Sequence, residues 1–102
     1  MHKVVVLYPE PKDKQAFKEH YERIHLPLVA KLPGLRAMRY SFDVSAFGGA
    51  DSPYFAVFEG EFDDAEAMAA AFASPEGKAV QADVPNYATG GAVVLHYPVR
   101  EP

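Results

Sequence analysis

The sequence predicts an α+β fold of the ferredoxin-like type, in which a four-stranded antiparallel sheet carries its helices on one face. Short apolar runs rich in β-branched and aromatic residues alternate with amphipathic helical patterns in the order β-α-β-β-α-β, which matches that motif. A chain of 102 residues accommodates one domain with a thin core. Because no repeat or low-complexity linker divides it, residues 1–102 are predicted to form a single domain.

The first half of the chain has the pattern of a strand, a helix and a second strand. Residues 3–8 form a β-branched run, and Asp13 is placed to cap a helix over residues 15–32. The apolar residues of this helix recur at spacings of four, three and four, which predicts one buried stripe formed by Phe17, Tyr21, Ile24 and Leu28. A Pro-Gly pair ends the helix, and residues 35–47 then alternate as a long strand.

The second half has the pattern of a strand, one or two helices and a final strand. Residues 54–62 are predicted to form a hairpin with the preceding strand, because glycines and a proline separate the two. Asp63 or Asp64 caps a helix over residues 65–73, and residues 77–88 are predicted to hold one further short helix. Residues 92–99 form the last strand.

Three of the predicted strands are apolar at consecutive positions instead of alternating: residues 4–7, 54–58 and 92–95. Such runs indicate a sheet that is covered on both faces, whereas two helices cover only one. The other face therefore needs a partner, most simply the same face of a second copy related by a two-fold axis. The sequence predicts a homodimer that buries the sheet face away from the helices.

Composition excludes several classes of function. The net charge is −4 and the ten Lys and Arg residues are scattered, which argues against a nucleic acid partner. The absence of cysteine excludes disulfides, thiolate metal sites and cysteine nucleophiles. No apolar run has the length of a signal peptide or a membrane helix, so we expect a cytoplasmic protein without a membrane partner. Neither glycine pair forms a nucleotide-binding fingerprint, and no metal, flavin or nicotinamide cofactor is expected.

The candidate site lies where the first helix meets Pro27. Proline has no N–H, which leaves the carbonyl of Arg23 without its usual partner, and imidazole titrates between about pH 5 and 8. His25 lies about 80° from Phe17 on a helix with roughly 100° per residue, at the edge of the buried stripe. It is either a general acid or base for a small carbonyl or phenolic compound, or a packing group bonded to a backbone carbonyl. His20 lies on the other flank and is predicted to be structural.

The four histidines do not predict a metal site. His20 and His25 are about 140° apart on a regular helix, whereas two ligands of one metal normally lie four residues apart on one face. His96 lies on the last strand, whose orientation the sequence does not determine. It lines either the ligand cleft or the dimer interface.

Four aromatic residues are candidates to line a cleft for an aromatic or polyketide-like ligand: Phe17, Tyr21, Tyr40 and Tyr87. A tyrosine hydroxyl in such a cleft acts as an acid or as a hydrogen-bond donor. Tyr87 is preferred for this role because it follows Pro85-Asn86 in a stretch that we expect to be irregular.

Several segments together resemble a known family: Tyr8-Pro9, Phe17-x3-Tyr21-x3-His25-x-Pro27-Leu28, Leu32-Pro33-Gly34-Leu35, and residues 82–91. In these segments, which span most of the chain, it resembles the EthD family. The resemblance implies a dimeric α+β barrel, in which two ferredoxin-like subunits pack sheet against sheet. EthD proteins have been linked to the degradation of ether compounds. Relatives in the superfamily include cofactor-free monooxygenases, polyketide cyclases, lactone isomerases and decarboxylases.

The residues and the resemblance together predict a cofactor-independent enzyme that acts by proton transfer on a small hydrophobic carbonyl or aromatic metabolite. In this hypothesis His25 moves the proton and Tyr87 or Tyr21 orients the oxygen, while Phe17, Tyr40 and His96 contact the ligand. The alternative is a non-catalytic protein that binds a metabolite for a neighbouring enzyme. A third hypothesis is haem binding, which requires a proximal histidine in a roomier pocket.

Overall fold

Four antiparallel strands form one sheet in the order β2-β3-β1-β4 in the computed structural model of the protein, which describes residues 1–102. The strands are β1 (His2–Pro9), β2 (Ala37–Ser41), β3 (Tyr54–Phe62) and β4 (Val93–Pro98). β1 pairs with both β3 and β4, and β2 pairs only with β3. This order confirms the predicted ferredoxin-like fold.

The helices lie on one face of the sheet. They are α1 (Lys14–His20), a π-helical turn (Tyr21–His25), α2 (Leu26–Val29), α3 (Ala65–Ala73) and α4 (Pro75–Tyr87). Side chains cap three of them: Asp13 accepts from the Ala16 N–H, Asp64 from Ala67 and Ser74 from Gly77. The longest helix has 13 residues, and none has the length and hydropathy needed to cross a membrane.

The π-helical turn changes which side chains of the first helical segment face the sheet. The N–H of Leu26 donates to the carbonyl of Tyr21, five residues back, and this wider turn accommodates the missing N–H and the ring of Pro27. As a result His25 is buried, with 3% of its surface exposed, whereas Ile24 is 48% exposed. The prediction of Ile24 as a core residue is therefore wrong, because it assumed regular helical geometry through this turn.

Strand β2 is shorter than the predicted strand over residues 35–47. Its pairing with β3 ends at Ser41, whose hydroxyl accepts a hydrogen bond from the N–H of Asp43. Such a local side-chain bond competes with the sheet ladder and turns the chain away. The ring of Phe42 then packs against Phe17 and Phe55 in the aromatic core, so the alternation beyond Ser41 reflects burial outside the sheet.

The sheet face away from the helices, here called the outer face, has an apolar part and a charged part. Residues opposite one another in the strand register share a face. The register places these apolar residues on the outer face: Val5, Leu7, Val57, Val93 and Leu95. It also places Lys3 there, 3.1 Å from Glu59 and 3.7 Å from Glu61. The apolar runs thus overstate the hydrophobicity of this face, and the homodimer remains a prediction for this chain.

Candidate functional site

A cavity of about 320 Å³ lies between the helices and the sheet. Its walls are residues of β1, β3 and β4 on one side and residues of the π-helical turn, α2, α3 and α4 on the other. Fourteen of its sixteen lining residues are hydrophobic, so a bound molecule contacts mainly hydrocarbon surface. The polar atoms of the lining side chains belong to Tyr8, Tyr21, His25 and Gln81.

His25 is held in this wall by Asp83, which lies on α4. Its Nδ1 is 2.9 Å from Asp83 Oδ2. An ionised carboxylate can only accept hydrogen bonds, so Nδ1 carries the proton of the neutral ring and Nε2 is left unprotonated. The arrangement presents His25 as a base whose tautomer and orientation are set by a buried carboxylate.

Asp83 is itself surrounded by hydrogen-bond donors, although only 7% of its surface is exposed. His20 Nε2 lies 2.8 Å from Oδ1 and 3.0 Å from Oδ2, and Asn86 Nδ2 donates to Oδ1 at 3.0 Å. Burial alone would raise the pKa of Asp83, but the hydrogen bonds from Asn86, His20 and His25 outweigh it and lower the pKa below its usual value. Asp83 therefore stays ionised at neutral pH.

The pKa of His25 is lowered from its ordinary value of 6.5. Burial is the main cause, because it disfavours the charged ring more than the hydrogen bond and the charge of Asp83 favour it. The neutral, proton-accepting form consequently dominates at pH 7. This is the protonation state that a general base requires.

Three tyrosine hydroxyls cluster beside His25. The Oη atoms of Tyr8 and Tyr87 are 2.8 Å apart and hydrogen-bonded, whereas the buried Oη of Tyr21 has no hydrogen-bond partner in the protein. Burial raises the pKa of each of these hydroxyls above its ordinary value of 10.0. All three therefore keep their protons at neutral pH, and Tyr21 and one hydroxyl of the Tyr8–Tyr87 pair have a proton that is not used in a bond to another tyrosine.

The structure brings some of the predicted site residues together around the cavity. His25 and Tyr21 line it, with their rings stacked 5.3 Å apart. Tyr87 lies behind this wall, bonded to Tyr8 and 4.6 Å from the His25 ring. It is the last residue of α4, so the prediction that it lies in an irregular stretch is wrong. Phe17 is buried behind Tyr21, against which it stacks, and does not line the cavity.

Two other predicted site residues do not line the cavity. Tyr40 is 41% exposed and its hydroxyl donates to Glu22 at 2.6 Å. His96 is opposite Val4 in the register, which places it on the helix side of the sheet and not on the outer face. There its Nδ1 lies 2.9 Å from Nε2 of His2, outside the cavity lining.

Asp83 is the residue of the candidate site that sequence reasoning missed. It belongs to the segment that resembles the EthD family, but no role was assigned to it. A helix over residues 77–88 places Asp83 and Tyr87 one turn apart on a single face, and this signal was available in the sequence. His20 was predicted to be structural, and its observed contact is with Asp83.

The expected separation of His20 and His25 is wrong, because both rings contact the same carboxylate. The 140° rotation holds for a regular helix, and the π-helical turn that begins after His20 removes it. Asp83 lies between the two rings and bonds to both. No group of three or more His, Cys, Asp or Glu side chains has the arrangement of a metal site.

Comparison with known proteins identifies the family. The model of the EthD domain matches residues 9–91. The chain belongs to the EthD family. It is 38% identical over 95 residues to an uncharacterized 11.0 kDa protein from the thcB-thcC intergenic region of Rhodococcus erythropolis, a match that covers 93% of this chain and 91% of the relative. It is 36% identical to an ethyl tert-butyl ether d (EthD) family protein from Bacillus halodurans, with a TM-score of 0.90 over 98% of this chain and 99% of that one.

More distant structures share the fold of this EthD protein. A hydroxynitrile lyase from Passiflora edulis is 16% identical, with a TM-score of 0.80 over 99% of this chain and 94% of that one. SnoaB, a cofactor-independent oxygenase from Streptomyces nogalater, is 14% identical, with a TM-score of 0.71 and the same coverage. A protein from Thermobifida fusca described as dimeric and ferredoxin-like is 16% identical, with a TM-score of 0.73 over 96% and 90% of the chains. At these identities the likeness concerns the fold alone.

Proposed function

We propose that this EthD protein is a cofactor-independent enzyme that transfers a proton on a small hydrophobic carbonyl or aromatic metabolite. The observation that carries the proposal is the neutral His25, fixed by an ionised Asp83 in the wall of a largely apolar cavity. A packing histidine needs neither a buried carboxylate nor an open space beside it. A general base needs both orientation and access.

In this function His25 Nε2 accepts a proton from a carbon or an oxygen of the bound molecule. The ring becomes positively charged, and Asp83 stabilises that charge through the Nδ1–H hydrogen bond. The apolar lining strengthens this attraction because the local dielectric constant is lower than that of water. Tyr21, or Tyr87 acting through Tyr8, holds the oxygen on which negative charge develops.

Two fold neighbours support an enzymatic function, because their names state a lyase and a cofactor-independent oxygenase. The second candidate function is binding without catalysis. It is favoured by the same largely apolar cavity, since a cavity of this kind serves storage or delivery of a metabolite as well as turnover.

An exchange experiment distinguishes the two functions. Acetophenone and 2-indanone, which carry protons next to a carbonyl, are incubated with the protein in D₂O at pH 7 and followed by NMR. Binding is measured on the same samples by saturation transfer. We expect protein-dependent loss of the α-proton signals. Binding without exchange would support the accessory protein, and neither binding nor exchange of either ketone would contradict the proposed function.

We also propose that the protein is a homodimer, as the Thermobifida fusca protein is described to be, and that the dimer forms through the outer sheet face. Light scattering at micromolar concentration should give twice the mass of one chain, because a stable interface buries about 1,200 Å² or more. Leu95→Glu, which places a charge in the apolar part of that face, should give monomers. Ala79→Glu, on the exposed surface of α4, serves as the control and should stay dimeric. A monomeric wild-type protein would contradict this prediction.

A further inference from the structure

The tyrosine hydroxyls beside the cavity are not all hydrogen-bonded within the protein. Tyr8, Tyr21 and Tyr87 carry three hydroxyl protons, and one hydrogen bond joins two of these groups. Tyr21 is 1% exposed, and its Oη is a buried side-chain polar atom without any partner. Buried polar groups in folded proteins are nearly always bonded, so an orphaned hydroxyl in a cavity wall indicates a missing acceptor.

A bound molecule can supply this acceptor. Tyr21 and Tyr8 both line the cavity, and burial keeps both hydroxyls protonated by raising their pKa. The complementary group is therefore an oxygen that accepts hydrogen bonds. A carbonyl oxygen fits, because it has two lone pairs and needs no donor in return.

The lining also determines the charge of the bound molecule. No lysine or arginine lines the cavity, so a carboxylate or phosphate would lie in an apolar site without a cation. The nearby ionised group is Asp83, whose negative charge repels an anion further. Burial of an unpaired charge is strongly unfavourable, and the cavity is therefore suited to uncharged molecules.

The volume indicates the size of this molecule. At roughly 30 Å³ each, the share of one water in the liquid, about ten water molecules fill the cavity, which therefore has room for a compact molecule of about ten heavy atoms. The stacked rings of Tyr21 and His25 lie 5.3 Å apart in the cavity wall, so the residue that carries the donor and the residue that carries the base are neighbours there. A ketone bound to Tyr21 through its oxygen would bring its α-carbon toward His25.

We propose that the substrates of this site are neutral enolisable carbonyl compounds of about ten heavy atoms, anchored by a hydrogen bond from the Tyr21 hydroxyl to the carbonyl oxygen. This inference rests on the proposed function and names its substrate class. In the reaction the α C–H bond breaks and an N–H bond forms on His25 Nε2. The electron pair moves into the carbon–carbon bond of an enolate whose oxygen accepts from Tyr21. Return of the proton regenerates the ketone or an isomer, and no oxidant or reductant is consumed.

A binding cycle tests the anchor without using catalysis. Dissociation constants of acetophenone and of cumene, in which a methyl group replaces the oxygen, are measured for the wild type and for Tyr21→Phe. The ratio of the cumene constant to the acetophenone constant should fall about 10-fold or more in the variant, equivalent to about 1.4 kcal/mol. Tyr40→Phe, which removes an exposed hydroxyl bonded to Glu22, is the matched control and should leave the ratio unchanged.

The variant is expected to fold, because the hydroxyl it loses makes no bond within the protein. If the ratio of the cumene and acetophenone dissociation constants is the same in the wild type and in Tyr21→Phe, the proposed hydrogen bond from Tyr21 to the carbonyl oxygen is wrong. Benzoate, the anion of similar size, should bind at least about 10-fold more weakly than acetophenone. Equal affinity for the two compounds would contradict the proposal that the site binds uncharged molecules. Selective binding without α-proton exchange would contradict only the proposed function. If α-protons exchange but the ratio of dissociation constants does not change in Tyr21→Phe, only this inference is contradicted.

Discussion

Replacement of His25 by Gln is expected to lower the rate of α-proton exchange about 100-fold or more while leaving the fold intact. Glutamine has similar size and retains a donor for Asp83, but it cannot accept a proton near neutral pH. Asp83 also keeps its bonds from His20 and Asn86. The free energy of unfolding should therefore change by no more than about 1 kcal/mol.

The matched control is His96→Gln, the same replacement at a histidine outside the cavity lining. It should retain wild-type exchange. A His25→Gln variant that melts far below the wild type, or that still exchanges and binds the ketones as before, would show that His25 is a packing residue.

Replacement of Asp83 by Asn is expected to reduce both stability and exchange. The carboxylate accepts bonds from His20, His25 and Asn86 in a buried position, and an amide cannot accept all of them. Loss of these charge-assisted bonds should lower the free energy of unfolding by about 2–4 kcal/mol. Without the carboxylate the His25 proton is free to move to Nε2, which removes the base, and exchange should fall roughly 100-fold.

The role of Asp83 is to position His25, and a stability loss alone would not demonstrate it. Nitrogen chemical shifts of His25 should show protonated Nδ1 in the wild type and a shift toward protonated Nε2 in Asp83→Asn. Asp63→Asn is the control, because this exposed aspartate pairs with Arg36 at 2.7 Å and solvent screens the pair. It should remain close to the wild type in stability and exchange. An Asp83→Asn protein with wild-type exchange would contradict the assignment.

Secondary structure was predictable where local pattern and tertiary context agree. The bounds predicted for the third strand, 54–62, and for the helix over 65–73 are those of β3 and α3. Strong turn and capping residues on both sides explain this agreement. The second strand was overestimated because the alternation through Phe42 reports contact with the aromatic core, which periodicity cannot distinguish from sheet pairing.

The site was predictable only in part because it depends on one irregular turn. Pro27 signalled a distortion, and His25 was singled out beside it. The hydrogen bond from the N–H of Leu26 to the carbonyl of Tyr21, five residues back, however, depends on tertiary packing, which the spacing of residues in the sequence does not reveal. This bond buries His25 in place of Ile24 and turns His20 and His25 toward one carboxylate. Asp83 is 58 residues from His25 in the chain, and such a contact has no local signal.

The pH dependence of exchange tests the central claim, that neutral His25 is the base, most directly. The pKa of His25 is lowered from 6.5 by burial, so the neutral form is lost only as the pH falls below that value. The exchange rate at low ketone concentration should rise with pH and level off, with a midpoint below 6.5 that equals the His25 pKa titrated by NMR in the free protein. A rate that stays constant through the measured His25 titration would contradict the account.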